Sequence, residues 1–299
     1  TRAECAESGA CGMLNLTHVR SFLAVLDGGG FRAAARQLEV SPSTLVDHIN
    51  QLEAELTAPL LVRKRGGFAP TSQGLAFLPL ARALVATAER ARDVVAGCPL
   101  RIAAASNVGI YLLQSILASF KQAEAYPTEL WIGRNPDVAE RIGGGRADVG
   151  LMEWWDDRRG FLARTWRREP LVVIVGPGHP WAARTTASVA DLVGERMLGG
   201  EPGTGTGTLL RQVIGASADR IETINGFGST EAVKRAVRAG LGVSLVLASS
   251  VADEVAAGHL VALPLADADL VKEIKLIVPA PLPATSAAAR FAAHALGHI

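Results

Sequence analysis

A chain of 299 residues with 49% apolar side chains suits two or three ordinary domains and is too apolar for a disordered protein. No apolar run approaches ~20 uncharged residues, so none is read as a membrane span, and the first twelve residues lack the order of a secretory signal, which leaves the cytoplasm as the expected compartment. Three cysteines without a C-x-x-C pair make no disulfide framework, and a net charge of +1 leaves nucleic-acid binding to be judged from local clusters.

Residues 1–12 show no periodicity and are read as a disordered extension ahead of a start at Met13. Three short helical patterns follow. Leu16, Val19, Phe22, Leu23 and Leu26 repeat at helical spacing until Gly28-Gly29-Gly30. Phe31 to Leu38 forms a second helix whose Ala33, Ala34 and Ala35 admit a close neighbour. Ser41 is an N-cap with Pro42 at the first helical position, opening a third helix to about Leu56 with Leu45, Ile49, Leu52 and Leu56 on its buried face. Next, Leu60-Leu61-Val62 and Phe68 flank Arg63-Lys64-Arg65-Gly66-Gly67, a hairpin with a basic tip. Thr71 or Ser72 caps a long helix to about Val95, in which Phe77, Ala81, Leu84, Ala88, Ala91 and Val95 are spaced 4, 3, 4, 3, 4, the pattern of a coiled-coil seam.

From Leu100 the pattern alternates between strand and helix. Strands are predicted at 101–105, 129–133, 148–152, 171–175, 221–226, 242–247 and 273–278, with helices between them, which argues for parallel βαβ units.

Residues 14–95 closely resemble the DNA-binding domain and linker helix of LysR-type transcriptional regulators. The resemblance is carried by Phe31 to Ser43, by Ile49-Asn50-Gln51-Leu52-Glu53, by the wing from Arg63 and by Thr71-Ser72-Gln73-Gly74. It continues through Tyr111-Leu112-Leu113, Arg146 to Leu151, Gly178-His179-Pro180, Gly203-Thr204-Gly205-Thr206 and Gly228 to Lys234, closest to the branch regulating sulfur assimilation and carbon fixation. It implies an α+β multidomain chain: a winged helix-turn-helix over 13–71, a dimerisation helix over 72–97 and an effector domain over 98–299. That domain is expected to have two α/β lobes of the type II periplasmic-binding-protein kind. Lobe I takes 100–161 and 266–299, lobe II takes 162–265, and the effector lies between them. A homodimer or homotetramer is implied as well.

A recognition helix presents its first turns to base edges. The DNA-contacting candidates are therefore Ser41, Pro42, Ser43, Thr44, Asp47 and His48, with Arg63, Lys64, Arg65 and Thr71 toward phosphates. The family usually has Ser where this chain has Val46, and often a basic residue where it has Asp47. Asp47 either accepts from cytosine N4 or is a solvated helix acid; both readings stand. By matching positions, three loops face the cleft, supplying Ser106, Asn107 and Val108, then Arg134 and Asn135, then Thr204, Gly205 and Thr206. Helix starts, threonine hydroxyls and Arg134 together favour a small anion. Trp154, Trp155 and Trp166 serve packing or ligand stacking.

No H-E-x-x-H, G-x-S-x-G or G-x-x-x-x-G-K-[ST] occurs, and Thr208 stands where a dinucleotide fingerprint needs its third glycine. The expectation is a regulator without enzymatic activity, cofactor or metal, binding double-stranded DNA and a small effector away from membranes. The competing reading is a two-lobed small-molecule binding protein or enzyme without DNA binding.

Overall fold

The computed structural model describes residues 13–64, 67–124, 126–200 and 205–298. The chain divides into two compact units, the first reaching Cys98 and the second beginning at Pro99; Gly143–Arg146 groups with the first.

In the first unit, α1 (Leu16–Asp27) is capped by Asn15, whose side chain accepts from the Thr17 amide. Then come α2 (Phe31–Gln37) and α3 (Pro42–Glu55), joined by a turn in which Glu39 takes φ 55°. Ser41 Oγ accepts from the Thr44 amide at 3.0 Å, so the cap and proline start α3 where the sequence places them. Leu45, Ile49 and Leu52 pack with Val19, Phe22 and Val25 of α1 and with Ala34 and Ala35, whose small side chains let the helices approach. The wing is the antiparallel pair β1 (Leu61–Lys64) and β2 (Gly67–Pro70). The Glu53 carboxylate accepts from the amides of Leu60 (2.6 Å) and Leu61 (3.0 Å), tying the wing to α3.

Next is α4 (Ser72–Val95). A Cβ at Gly74 would lie 2.1 Å from the Leu60 carbonyl oxygen, so only glycine fits this crossing. Phe77 packs on Phe22 with ring centroids 5.6 Å apart, and Ala81 is fully buried in the same core. These two expected seam residues thus face their own domain. The apolar side chains left outside are Leu75, Leu80, Leu84 and Val95.

The second unit runs β3 (Leu100–Ala105), a π-helical turn (Val108–Leu112), α5 (Gln114–Glu124), β4 (Thr128–Gly133), α6 (Asn135–Gly143), β5 (Val149–Met152) and β6 (Phe161–Val175). It continues through α7 (Val189–Val193), β7 (Arg196–Leu198), α8 (Gly205–Ile214), β8 (Glu222–Ile224), α9 (Thr230–Arg238), β9 (Ser244–Leu247) and α10 (Ala252–Ala256). It ends with β10 (Val261–Leu263), β11 (Val271–Pro279) and α11 (Ala287–Leu296). The main sheet has the order β10-β6-β11-β5-β3-β4, with β9 also on β6, while β7 and β8 form a small parallel pair.

Only some of these strands are parallel. β3 pairs in parallel with β4 and β5, but β6 and β11 run antiparallel to each other and to their other partners. β6 explains the difference: Phe161–Pro170 pairs with β11, and Leu171–Val175 pairs with β9 and β10. The expected lobe boundary at 161/162 therefore falls at the start of a continuous strand. Trp166 belongs to lobe I, buried in its core with Nε1 donating to the Ala295 carbonyl at 3.0 Å. From Leu171 onward, alternate residues serve the two faces of lobe II, with Leu171, Val173 and Val175 in one core and Ile174 in the other.

Candidate functional site

In the first unit, Ser43 and Asp47 sit exposed on α3 with Pro42. Ser41 Oγ lies 2.8 Å from the hydroxyls of Ser43 and Thr44, so these three form one capped cluster. His48 does not share the outward face: its Nδ1 is 2.8 Å from Ser21 Oγ on α1, and its ring lies 4.9 Å from that of His18. Thr71 takes the capping role expected of it rather than facing outward as a DNA contact. Its hydroxyl donates to the Pro59 carbonyl (2.6 Å) and accepts from the Gly74 amide (3.0 Å), so it is spent capping α4. Arg63 and Lys64 stand exposed at the end of β1, and Arg65 lies outside the described residues.

A groove of about 810 Å³, outside the expected sites, lies between α2, α3 and the wing. Arg32, Arg36, Val46, Asn50 and Arg63 border it. Its signal was present in the sequence, as two arginines four residues apart on a helix that otherwise reads as small-residue packing.

In the second unit, the strand-end loops meet between the lobes. Asn107 Oδ1 accepts from Thr230 Oγ1 of lobe II at 2.8 Å, while its Nδ2 lies 3.4 Å from Glu153 Oε1. Asn135 Oδ1 accepts from the Glu153 amide at 3.0 Å. Ser106 is exposed, its hydroxyl donating to the Gly133 carbonyl at 3.0 Å. Val108 is a correction, because its side chain is fully buried in the lobe I core.

Arg134 is another correction. It donates Nε and one Nη to the two carboxylate oxygens of Asp137, both at 2.9 Å, with its side chain 80% exposed. Those hydrogen bonds hold Asp137 below the usual carboxylate range, and the guanidinium is committed one turn along its own helix.

A buried cation at this site is Lys272. It lies on β11 with its side chain turned inward like those of Ile274 and Leu276. Its Nζ donates to Glu153 Oε2 at 2.6 Å, each side chain only 8% exposed. Gly205, the first residue of α8, abuts this pair: a Cβ there would lie 3.0 Å from Glu153 Oε2 and 3.4 Å from Lys272 Nζ. Thr206 is half-buried beside it, and Thr204 lies outside the described residues. A pocket of about 490 Å³ opens here, walled by Trp154, Glu153, Lys272 and the α8 residues Gly205, Thr208 and Gln212. Trp154 lines this pocket, whereas Trp155 packs edge-on against Phe161.

Nearby, Tyr111 Oη donates to Glu231 Oε1 at 2.7 Å from the opposite lobe. Burial and that bond push the phenol up to about 12. Lys234 is buried under the Tyr111 ring, donates to the Ser250 carbonyl at 2.9 Å and pairs with Glu231 and Glu254. Burial opposes its charge, but the two carboxylates outweigh that and raise its pKa. They close the charge balance of the one buried lysine on α9. Among the described residues, no helix is long and apolar enough to cross a membrane.

Residues 16–75 match the model of the bacterial regulatory helix-turn-helix proteins of the lysR family, and residues 97–299 match that of the LysR substrate binding domain. The chain is 40% identical over 196 residues to PtxE of Stutzerimonas stutzeri, a putative HTH-type transcriptional regulator protein, covering 65% of this chain and 100% of that one. It is 31% identical to the HTH-type transcriptional regulator CbbR of Rhizobium meliloti, covering 85% and 84% of the two chains. In fold it is similar to full-length CbnR crystallised with its target DNA, with a TM-score of 0.65 at 22% identity, covering 96% of this chain and 100% of that one.

Proposed function

We propose that this chain, which belongs to the LysR family of DNA-binding transcriptional regulators, is switched in the cytoplasm by a small anion seated between the two lobes of its second unit. A match over both units sets aside the reading as a binding protein or enzyme without DNA binding. We further propose that it acts as a homodimer or homotetramer paired through α4.

The observation that carries the anion is the buried cation Lys272, held against Glu153 at the first residue of α8. Leaving a buried ammonium unpaired costs about 3–5 kcal/mol, so the site always needs a negative group. Glu153 fills that role here, and its carboxylate also lies beside the first residue of α8, where the positive dipole end of the helix favours negative charge. A small anion competes for the same partners and releases Glu153 toward the pocket mouth. Asn107 and Asn135 contact Glu153 from lobe I, while Gly205 abuts it from lobe II. An exchange there changes what ties the lobes together. A ligand that favours one closure over another shifts that equilibrium by its difference in affinity, and through it the DNA-binding state.

The test is a thermal-shift and calorimetry screen with sulfate, phosphate and short carboxylates against neutral analogues of similar size. Anions should stabilise the parent chain and lose that effect in a Glu153→Gln/Lys272→Met double variant, which removes the pair without stranding either charge. Thr208→Val, at the pocket wall, should weaken the best anion by about 0.5–1.5 kcal/mol. Stabilisation by neutral ligands alone, or equal anion binding by the double variant, would refute the reading.

A further inference from the structure

The outward face of α3 carries Ser43, Asp47 and Asn50, but one member of the stripe is apolar: Val46, 41% exposed. It borders the groove whose far walls hold Arg32 and Arg36 of α2 and Arg63 of the wing. Among the described residues, none of these arginines is ion-paired. The groove's carboxylate, Glu53, is occupied by the Leu60 and Leu61 amides. The groove therefore offers three cations around an apolar patch on a helix of the width that a B-DNA major groove admits. A valine neither donates nor accepts hydrogen bonds. The major-groove feature complementary to it is the 5-methyl group of thymine.

We propose that Val46 reads the methyl group of one thymine in each half-site, with Arg32, Arg36 and Arg63 holding the flanking phosphates. The inference rests on the DNA-binding reading and adds a specificity-determining contact to it. It also explains how α3 works without a basic residue on its outward face: the cations sit on the neighbouring helix and the wing, and α3 supplies shape and apolar contact.

The experiment starts from duplexes selected by the full-length protein out of a random library. Each thymine of a selected duplex is then replaced singly by deoxyuridine, which keeps the base pair and removes only the methyl. One replacement per half-site should weaken the parent chain about fourfold, the worth of one buried methyl, and should be silent in Val46→Ala. Arg36→Ala should weaken thymine and uracil duplexes equally and lower the salt slope by about one. A uracil penalty undiminished in Val46→Ala, or no penalty at any thymine, overturns the contact while leaving DNA binding intact. Failure to select any duplex overturns both.

Discussion

Tyr111 Oη donates to Glu231 Oε1 at 2.7 Å, joining the helical turn after β3 in lobe I to the first turn of α9 in lobe II. Beside it, Thr230 donates to Asn107 across the same gap. With the phenol raised to about 12, Tyr111 stays a donor throughout the working range of pH. Tyr111→Phe keeps the ring over Lys234 and removes only the hydroxyl. It should weaken the link between the lobes by about 0.5–1.5 kcal/mol. Amide exchange should quicken over Val108–Leu112 and Thr230–Arg238 while the lobe cores keep their protection. Unchanged exchange in both segments would show that this bond does not hold the lobes.

The wing cations make a second prediction. Arg63 and Lys64 are exposed at the end of β1, as phosphate contacts must be. Replacing both by Ala should weaken specific and random duplexes alike. The slope of log affinity against log salt should fall by about one per lost contact. Fluorescence anisotropy across a salt series measures it, and an unchanged slope would place the wing away from the backbone.

What could be read from sequence follows from how local each signal is. Ser41 with Pro42, and Thr71, mark helix starts within one turn, and each does so in the structure. Two-thirds of β6 lies outside the expected strand, because only its last third is apolar; its first ten residues include Arg164, Arg167 and Arg168. Its antiparallel run beside β11 depends on a partner some hundred residues away, which no periodicity reveals. The cleft shows the same division. Asn107, Asn135 and Gly205 stand at strand ends or helix starts that local pattern marks, whereas the Glu153–Lys272 pair is made across 119 positions and no local pattern marks it. Arg134 was misassigned for the opposite reason, since an acid three residues on captures it.

His294 of α11 gives a pH dependence. Burial, then the neighbouring His298 ring, hold it below the usual histidine range. Its ring packs against Phe120, and its Nε2 is 2.8 Å from Ser119 Oγ. A base whose folded pKa is depressed takes up its proton more readily in the unfolded chain. Its stabilising contribution is complete above the ordinary value of about 6.5 and is lost as pH falls through the folded pKa. His294→Gln should therefore be less stable than the parent at pH 7.5, with the gap narrowing by pH 5.5. Thermal unfolding at the two pH values measures this, and a constant gap would rule out the linkage.

Assembly provides the last prediction. A helix of 24 residues spans about 36 Å, and its first half is anchored to the helix-turn-helix through Phe77 and Ala81. Those residues face inward, so the pairing surface is narrower than the heptad spacing suggested. Under the proposed pairing through α4, it comprises exposed apolar side chains such as Leu80 at 62% exposure and Leu84 at 39%. The two substitution classes should then separate. Phe77→Ala removes a core contact and should cost about 2–3 kcal/mol of fold stability, below the full-burial range because Phe77 is only half-buried. Leu84→Asp touches no core but would place a charge in the helix pair, so it should dissociate the oligomer while circular dichroism stays native. Leu80→Asp should act in the same direction. Light scattering of the purified variants decides the matter: a lower mass for both aspartate variants with helicity intact locates the pairing surface on this stripe. An unchanged mass for both means that the chains associate through another part of the molecule.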